Sequence, residues 1–212
     1  MTIRSSFLFM DIILRFDTIH LLEYEKRVQM TTIHEKKNQL RHKMKQIQSE
    51  LTSEYMDTAS DRIQSRILKL EKYKKAKSIF VYVNMEKEPQ TVPIIEQAIK
   101  DGKKVYVPKC ISRSEMLAIH IQSVSQLKPG SYGILEPEDL HDTGKAEEMD
   151  LILIPCLSAS LDGRRLGHGA GYYDRFLREY HGDMICLCYK KMLSDEIPVD
   201  DLDIRMPSVI TD

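Results

Sequence analysis

The chain has 212 residues, of which 42% are hydrophobic and 30% are charged, and its formal net charge is -1. These proportions are typical of a soluble globular protein with one domain or at most two small ones. The near-neutral balance argues against a dedicated nucleic-acid binder, because such proteins usually carry a clear basic excess. The four cysteines lack the paired spacing of a zinc site, which favours free thiols in a reducing cytoplasm.

The N-terminal stretch carries an apolar run, Phe7 to Phe16, that two charged residues interrupt. The run is too short and too charged for a membrane span or an ordinary signal peptide. We therefore predict an extension over residues 1–29, which either precedes the natural start at Met30, is loose, or docks on the domain as a short amphipathic helix. Residues 30–212 are predicted to form the domain.

Helical and β-rich patterns alternate along that domain. Apolar residues three or four apart predict helices at Glu35 to Gln48, Met56 to Leu70 with Thr52 as N-cap, Thr91 to Ile99 with Gly102 as the stop, and Tyr172 to Tyr180. Strands are predicted at Ser78 to Val83, Val105 to Val107 closed by Pro108, Leu117 to Ile121, Leu151 to Pro155, and Ile185 to Tyr189. The alternation predicts an α/β fold: a single-domain three-layer sandwich with a mostly parallel sheet and helices on both faces.

A glycine-rich stretch, Leu161 to Leu177, lies between a predicted buried strand and a predicted helix and holds four of the nine glycines. Glycine suits positions where the backbone takes positive φ or approaches a ligand closely. A loop that opens a helix gathers unpaired N–H groups and the positive end of the dipole, which suits phosphate. Arg164 and Arg165 add forked donors for phosphate oxygens. Asp174, in the first helical turn, favours the dipole or holds Mg²⁺.

Two common phosphate motifs do not fit this stretch. A dinucleotide fingerprint needs a third glycine where Tyr172 stands, and a Walker loop needs Gly-Lys followed by Ser or Thr. A tight turn without a ligand is the alternative interpretation. The two arginines, two tyrosines and the aspartate in one cluster weigh against it.

The sequence RRLGHGAGYYDRFL in this stretch resembles the signature of the 5-formyltetrahydrofolate cyclo-ligase family, also called methenyltetrahydrofolate synthetase. The likeness includes Lys37-Asn-Gln-Leu-Arg41, Glu88 after a strand, and Tyr132-Gly-Ile-Leu-Glu-Pro137, in the family's order. It implies an enzyme that uses ATP and Mg²⁺ to convert 5-formyltetrahydrofolate to 5,10-methenyltetrahydrofolate, releasing ADP and phosphate. In the family the formyl oxygen is phosphorylated, and the N10 amine then closes on the activated carbon.

The resemblance also implies which residues bind each substrate. For the nucleotide they are Lys37, Arg41, Arg165, Leu166, Gly167, His168, Gly169, Ala170, Gly171, Tyr172 and Tyr173. For the folate they are Val83, Glu88, Tyr132, His168, Gly169, Ala170, Gly171 and Tyr172. Arg165 and Glu88 are the expected catalytic residues, and Asp174 is the expected metal ligand. Without the resemblance, Lys37 and Arg41 would be assigned to a solvated helix face, Glu88 to the surface, and His168 equally to an exposed loop.

The chain departs from the family pattern at three places. Ala159-Ser160 stands where Phe-Asp is usual, Cys156 where glycine is frequent, and Pro207 where some members have an aspartate implicated in magnesium binding. These departures motivate the alternative of a non-catalytic paralogue that binds nucleotide or folate without turnover. An RNA-associated module that uses the stretch rich in lysine and arginine from Glu35 to Lys77 is a weaker third possibility. The expected partner is a small reduced folate, with or without a polyglutamate tail; we expect a monomer with no nucleic-acid or membrane partner.

Overall fold

A computed structural model describes residue 28, residues 30–130 and residues 133–212. The predicted extension therefore lies outside the described residues apart from Val28. Tyr132, an expected folate contact, lies outside them as well. No helix in the described part is long and apolar enough to cross a membrane.

The chain alternates between helices and strands, as predicted. The helices are α1 (residues 30–49), α2 (Ser53–Lys69), α3 (Glu71–Lys75), α4 (Val92–Lys100) and α5 (Tyr172–Phe176). The strands are β1 (Ser78–Val81), β2 (Lys104–Cys110), β3 (Met116–Ile121), β4 (Leu127–Pro129), β5 (Leu135–Pro137), β6 (Thr143–Gly144), β7 (Leu151–Pro155), β8 (Ser158–Ala159), β9 (Arg165–Leu166), β10 (Asp183–Leu187) and β11 (Val209–Ile210). Short 3-10 turns lie at Val124–Gln126, Ala146–Glu148 and Lys190–Met192.

A seven-stranded sheet forms the centre, in the order β11-β10-β7-β1-β2-β3-β6. The pairs among β11, β10, β7, β1 and β2 are parallel, and β3 and β6 join antiparallel at one end. β1 lies in the middle, where Ile79 pairs with Val105 on one side and Leu151 on the other. The predicted, mostly parallel sheet is therefore confirmed.

Both faces of the sheet are covered. Ile79, Phe80 and Val81 are all fully buried, although successive strand residues point to opposite faces. On the Phe80 face, the ring of Phe176 from α5 lies 5.1 Å from the Phe80 ring, centroid to centroid. Helices α2 and α4 contribute to the same core Ala59, Ile63, Ile67, Ile94, Ile95 and Ala98. Each large apolar side chain buried in this way stabilises the fold by about 1.5 to 3 kcal/mol.

The predicted helix ends are partly right. The Thr52 side chain caps α2 by accepting the N–H of Tyr55, and Gly102 takes a φ of 73° directly after α4. Helix α5, however, ends at Phe176, not at Tyr180. The buried Tyr180 hydroxyl donates to the carbonyl of Met149 at 2.9 Å, and this tertiary contact overrides the local helical pattern.

Strand β2 is longer than predicted, because it continues through Pro108 to Cys110. Its ladder with β1 stops at Tyr106, whereas its ladder with β3 continues to Cys110. Proline lacks a backbone donor and is tolerated where a ladder does not need one. Pro108 lies beyond the β1 ladder, which explains why it does not end the strand.

Candidate active site

The glycine-rich stretch folds as two separate structures. Its first part is the turn of a hairpin, in which β8 pairs antiparallel with β9. Gly163 lies in this turn with a φ of 93°, and its carbonyl accepts the N–H of Met206 at 2.8 Å. The second part, residues 167–171, connects β9 to α5 and is called the glycine loop below. Gly163 therefore shapes a hairpin, and only the later glycines shape the candidate site.

The glycine loop needs glycine at two positions. Gly169 and Gly171 have φ values of 110° and 69°, which side-chain-bearing residues rarely adopt. Gly171 is also the N-cap of α5, which has only five residues. So short a helix has a weak dipole, and positive charge for an anion must come mainly from side chains.

Arg165 is the buried cation of the site. Its side chain is 4% exposed and its Nη2 lies 2.7 Å from Oδ1 of Asp174. Burial lowers the pKa of Arg165, but the charge and hydrogen bond of Asp174 together with the thiols of Cys186 and Cys156 outweigh this effect, so that the pKa is raised overall. The Nε of Arg165 is buried and has no hydrogen-bond partner among the described residues. An unpartnered buried donor costs about 1 to 3 kcal/mol, which a phosphate oxygen would offset.

The neighbouring arginine has another role. Arg164 Nε lies 3.1 Å from both carboxylate oxygens of Asp162, at the hairpin turn. Arg205 donates to the same carboxylate from the C-terminal segment. Of the two consecutive arginines, only Arg165 therefore reaches the glycine loop's side of the hairpin.

Helix α1 brings two cations to this region, but to different partners. Arg41 Nε donates to the carbonyl of Gly167 at 3.0 Å. Burial lowers the pKa of Arg41, and the charge of Asp203 opposes this shift. Lys37 Nζ binds Asp200 at 2.7 Å and Asp203 at 2.5 Å. Arg41 thus contacts the glycine loop directly, while Lys37 ties α1 to the C-terminal segment.

Glu88 contacts the glycine loop through His168. It follows β1 in a loop at the carboxyl end of the sheet, beside the buried Val83, where ligands of α/β proteins bind. One carboxylate oxygen of Glu88 lies 3.2 Å from Nε2 of His168. The other accepts the N–H of Met85 at 2.9 Å. The sequence alone assigned Glu88 to the surface, yet the residue is 3% exposed.

Two tyrosines at the start of α5 form walls of the site. Tyr173 lies with its ring centroid 6.4 Å from that of Phe80 and 5.8 Å from Cζ of Arg165. Burial, and then the charge of Glu88, raises the pKa of Tyr173 well above its usual value. The hydroxyl of Tyr172 donates to the carbonyl of Ser112 at 2.7 Å. Leu166 is fully buried in β9, whereas His168, Gly169 and Ala170 are exposed.

Comparison with known proteins identifies the family of this chain. A model of the 5-formyltetrahydrofolate cyclo-ligase family matches residues 33–212. The chain belongs to the 5-formyltetrahydrofolate cyclo-ligase family. The predicted family is thereby confirmed, and with it the prediction of a cyclo-ligase enzyme of folate metabolism.

Individual relatives agree with this assignment. A probable 5-formyltetrahydrofolate cyclo-ligase of Schizosaccharomyces pombe is 31% identical over 193 residues, covering 83% of this chain and 95% of the relative. One of Caenorhabditis elegans is 30% identical over 198 residues, covering 85% and 95%. The solved structure of Aquifex aeolicus 5,10-methenyltetrahydrofolate synthetase is 28% identical, covers 82% of this chain and 88% of that one, and superposes with a TM-score of 0.73.

Two of the three departures from the cyclo-ligase pattern, Ala159-Ser160 and Cys156, have structural roles in this chain. Ala159 is fully buried in β8. The hydroxyl of Ser160 accepts the N–H of Arg164 at 3.1 Å and so closes the hairpin turn. The buried thiol of Cys156 lies 3.4 Å from the carbonyl of Leu187. None of the three residues contacts the glycine loop through a hydrogen bond in the described part of the chain.

The described residues hold no group of three or more side chains suited to a metal ion. Asp174 Oδ1 accepts from Arg165 and, at 3.5 Å, from the N–H of Ile204. Mg²⁺ in nucleotide sites is often held by one or two carboxylates together with substrate phosphates. The residues present fit that mode, in which Asp174 would supply the carboxylate, and they do not fit an all-protein magnesium site.

Sequence reasoning missed one arginine of this cyclo-ligase site. Arg175 Nε donates to the carbonyl of Ser114, and its Nη2 donates to the carbonyl of Ala170, both at 2.7 Å. Its guanidinium also lies over the Tyr172 ring, 5.6 Å from the centroid. The three-residue spacing from Tyr172 was the available signal, because such pairs share a helix face.

Proposed function

We propose that this protein catalyses the ATP- and Mg²⁺-dependent conversion of 5-formyltetrahydrofolate to 5,10-methenyltetrahydrofolate, with release of ADP and phosphate. The observation that carries the proposal is the position of the glycine loop between two sets of groups. Arg41 contacts the carbonyl of Gly167, and the next residue, His168, contacts Glu88. The proposed phosphate-binding groups beside Gly167 and the proposed folate-binding groups beside His168 are therefore separated by a single peptide unit.

On the phosphate side, the chain supplies charge and donors. Arg165 offers its unpartnered Nε, Arg41 lies against the loop, and Gly167, Gly169 and Gly171 let the backbone approach a phosphate closely. Phosphoryl transfer depends on positioning and charge neutralisation more than on a covalent nucleophile. This chemistry therefore does not require a pair made of a nucleophilic side chain and a general base.

Mg²⁺ would be held by Asp174 together with the phosphates, and when bound it neutralises the charge of the transferred group. Asp174 is 25% exposed at its side chain, so a ligand can reach it. Arg165 shares that carboxylate and keeps it in place. Lys37 is assigned to the nucleotide as well, and it would have to exchange at least one of its two aspartate partners for a phosphate oxygen.

On the folate side, Glu88 faces the reacting end of the substrate. Tyr173 is half-buried and offers an aromatic surface for a flat pterin, whereas Val83 is buried and keeps its assignment from the family resemblance. Tyr172 and Tyr132 keep their assignment from the family resemblance. Ring closure joins N10 to the formyl carbon, and the formyl oxygen leaves with its electron pair in inorganic phosphate.

The decisive experiment follows product formation directly. Purified protein is mixed with 5-formyltetrahydrofolate, ATP and MgCl₂, and the near-ultraviolet absorbance of the methenyl product is recorded together with ADP. We expect both to rise in equal amounts, and neither to rise without ATP. Folded protein that gives no absorbance would contradict the proposal. Calorimetry distinguishes the paralogue alternative, which binds folate tightly without consuming ATP.

We further propose that residues 30–212 act as one cyclo-ligase domain, as a monomer in the cytoplasm, without nucleic-acid or membrane partners. Three of the four cysteines are buried free thiols and Cys110 is half-buried, which fits a reducing compartment. The substrate is a reduced folate with or without a polyglutamate tail. Light scattering during gel filtration tests the monomer, and a mass near twice 24.6 kDa would contradict it.

A further inference from the structure

Glu88 is held rigidly and is closed off from solvent. Its own N–H donates to the carbonyl of Met85 at 3.1 Å, and its carbonyl accepts the hydroxyl of Tyr189 at 2.9 Å. The Glu88 side chain is 4% exposed, whereas that of its partner His168 is 36% exposed. The pair therefore links a buried carboxylate to an imidazole that reaches water.

The reaction requires such a link, and this step rests on the function proposed above. When N10 forms its bond to the formyl carbon, the N10–H bond must break, and its electron pair stays on nitrogen. The proton that is released has to leave the closed site. Glu88 is the carboxylate at the folate side, so that it is the group placed to accept this proton.

Glu88 has few ways to pass the proton on. Among the described residues its carboxylate hydrogen-bonds only to the Met85 N–H and to His168, and a backbone amide does not accept a proton. The titratable groups that face Glu88 from neighbouring elements are Tyr82, Tyr173 and Tyr189. Burial is the main cause that raises the pKa of each tyrosine, to about 12 for Tyr189. These hydroxyls keep their protons at neutral pH.

We propose that His168 carries the N10 proton from Glu88 to solvent. In the tautomer protonated at Nδ1, the Nε2 lone pair accepts the proton from the carboxyl group of Glu88. The imidazolium then releases the Nδ1 proton to water, and exchange with water restores the starting tautomer. Since His168 acts through Glu88, it is a positioning residue and not a catalytic one.

The first test separates proton transfer from hydrogen bonding. His168→Gln keeps a polar group of similar reach but cannot carry a proton. We expect kcat to fall at least about tenfold, and the dependence of kcat on pH to change near neutral pH. The KM for ATP should stay within about threefold of the wild-type value. Wild-type kcat with an unchanged pH profile would overturn the relay.

The second test restores the missing base. In His168→Ala, imidazole added to the buffer should raise kcat in proportion to its neutral form, because the truncated side chain leaves room beside Glu88. The matched control is Glu88→Gln, which imidazole should not rescue, since the first acceptor is gone. A His168→Ala enzyme that is folded, slow and insensitive to imidazole would contradict the proposal.

The two proposals fail in different ways. Wild-type protein that forms no methenyl product would overturn the proposed function and the relay together. Wild-type protein that turns over normally while His168→Gln is equally fast would overturn the relay alone. A raised KM for ATP with unchanged kcat in His168→Gln would also overturn it, and would assign the imidazole to phosphate binding.

Discussion

At the scale of single residues, the proposed function makes Arg165 the main phosphate-binding side chain. Replacing it with alanine removes a charge-assisted contact worth about 1.5 to 3 kcal/mol, and we expect kcat/KM for ATP to fall about ten- to a hundredfold. Arg165→Lys keeps the charge but loses the planar fork and should recover only part of the loss. Methenyl formation at limiting ATP measures the effect.

The adjacent arginine is the matched control for that prediction. Arg164→Ala removes the same charge one position earlier, but its partner is Asp162 in the hairpin turn. We expect the kcat/KM of this variant for ATP to stay near the wild-type value. If Arg165→Ala stays folded and keeps wild-type turnover at limiting ATP, the buried guanidinium does not bind phosphate.

A second residue-scale prediction concerns the hairpin turn. A Cβ on Gly163 would overlap the carbonyl oxygen of Met206, whereas a Cβ on Gly102 meets nothing within 4 Å, and both glycines have positive φ. Gly102→Ala should therefore cost only the backbone strain, about 1 kcal/mol. Gly163→Ala should lower the free energy of unfolding by about 3 kcal/mol or more. Urea titration of both variants measures the difference, and equal costs would show that the contact with Met206 gives way.

At the scale of elements, the loop between β2 and β3, residues 111–115, is tied to α5. The Tyr172 hydroxyl holds the carbonyl of Ser112, and Arg175 holds the carbonyls of both Ser114 and Ala170. Arg175 thereby connects this loop to the glycine loop. Its position makes it a determinant of the geometry of the loop that we propose binds the nucleotide.

Arg175→Ala should loosen both loops at once. Each lost hydrogen bond is worth about 0.5 to 1.5 kcal/mol, so we expect the KM for ATP to rise about threefold to tenfold with a smaller change in kcat. Hydrogen exchange at residues 111–115 should become faster. The control is Tyr172→Phe, which releases Ser112 but leaves Ala170 held; it should speed exchange while changing the KM for ATP little. Unchanged exchange in Arg175→Ala would contradict the role assigned to it.

Local patterns were sufficient for most elements. The buried run of β7, the Thr52 cap and the Gly102 stop all follow from short-range chemistry. The pattern was misleading where a tertiary contact decides, as at Tyr180 after α5 and at Pro108 in β2. Both cases depend on what lies beside the segment and not on its own residues.

At the scale of the whole molecule, Lys37 joins α1 to the C-terminal segment. The Lys37 side chain is 8% exposed and carries two carboxylate partners, Asp200 and Asp203. Burial raises the pKa of Asp200, but the hydrogen bond from Lys37 and other donors outweighs this effect and leaves the pKa below its usual value. A lowered pKa in the folded state stabilises the protein above the unfolded value, about 4, and this stabilisation is lost as the pH falls through the folded value.

Lys37→Met should therefore lower the free energy of unfolding by about 3 kcal/mol at pH 7, because two part-buried carboxylates lose their cation. The deficit should shrink as the pH falls below about 4, where the Asp200 carboxylate becomes protonated. Lys72→Met is the control, since its pair with Asp183 is 48% and 43% exposed and should contribute less than about 1 kcal/mol. A deficit that does not depend on pH would contradict the assigned cause.

The candidate site was predictable in its residue types but not in its pairings. The glycine loop and Arg165 stand out in the sequence because their chemistry is local. The contact of Glu88 with His168 and that of Lys37 with Asp200 join residues far apart in the chain. No spacing rule connects such pairs, because the fold alone brings them together.

The strand order carries a consequence for folding during synthesis. β1 stands at the centre of the sheet, and the chain adds β2 and β3 to one side of it before β7 pairs with the other. The edge of β1 that receives β7 therefore stays open while residues 82–150 are made. An open, apolar strand edge is a site of aggregation. A ribosome that stalls in this interval therefore exposes the edge of β1, and the arrival of β7 passes the open edge on to β7 until β10 pairs with it.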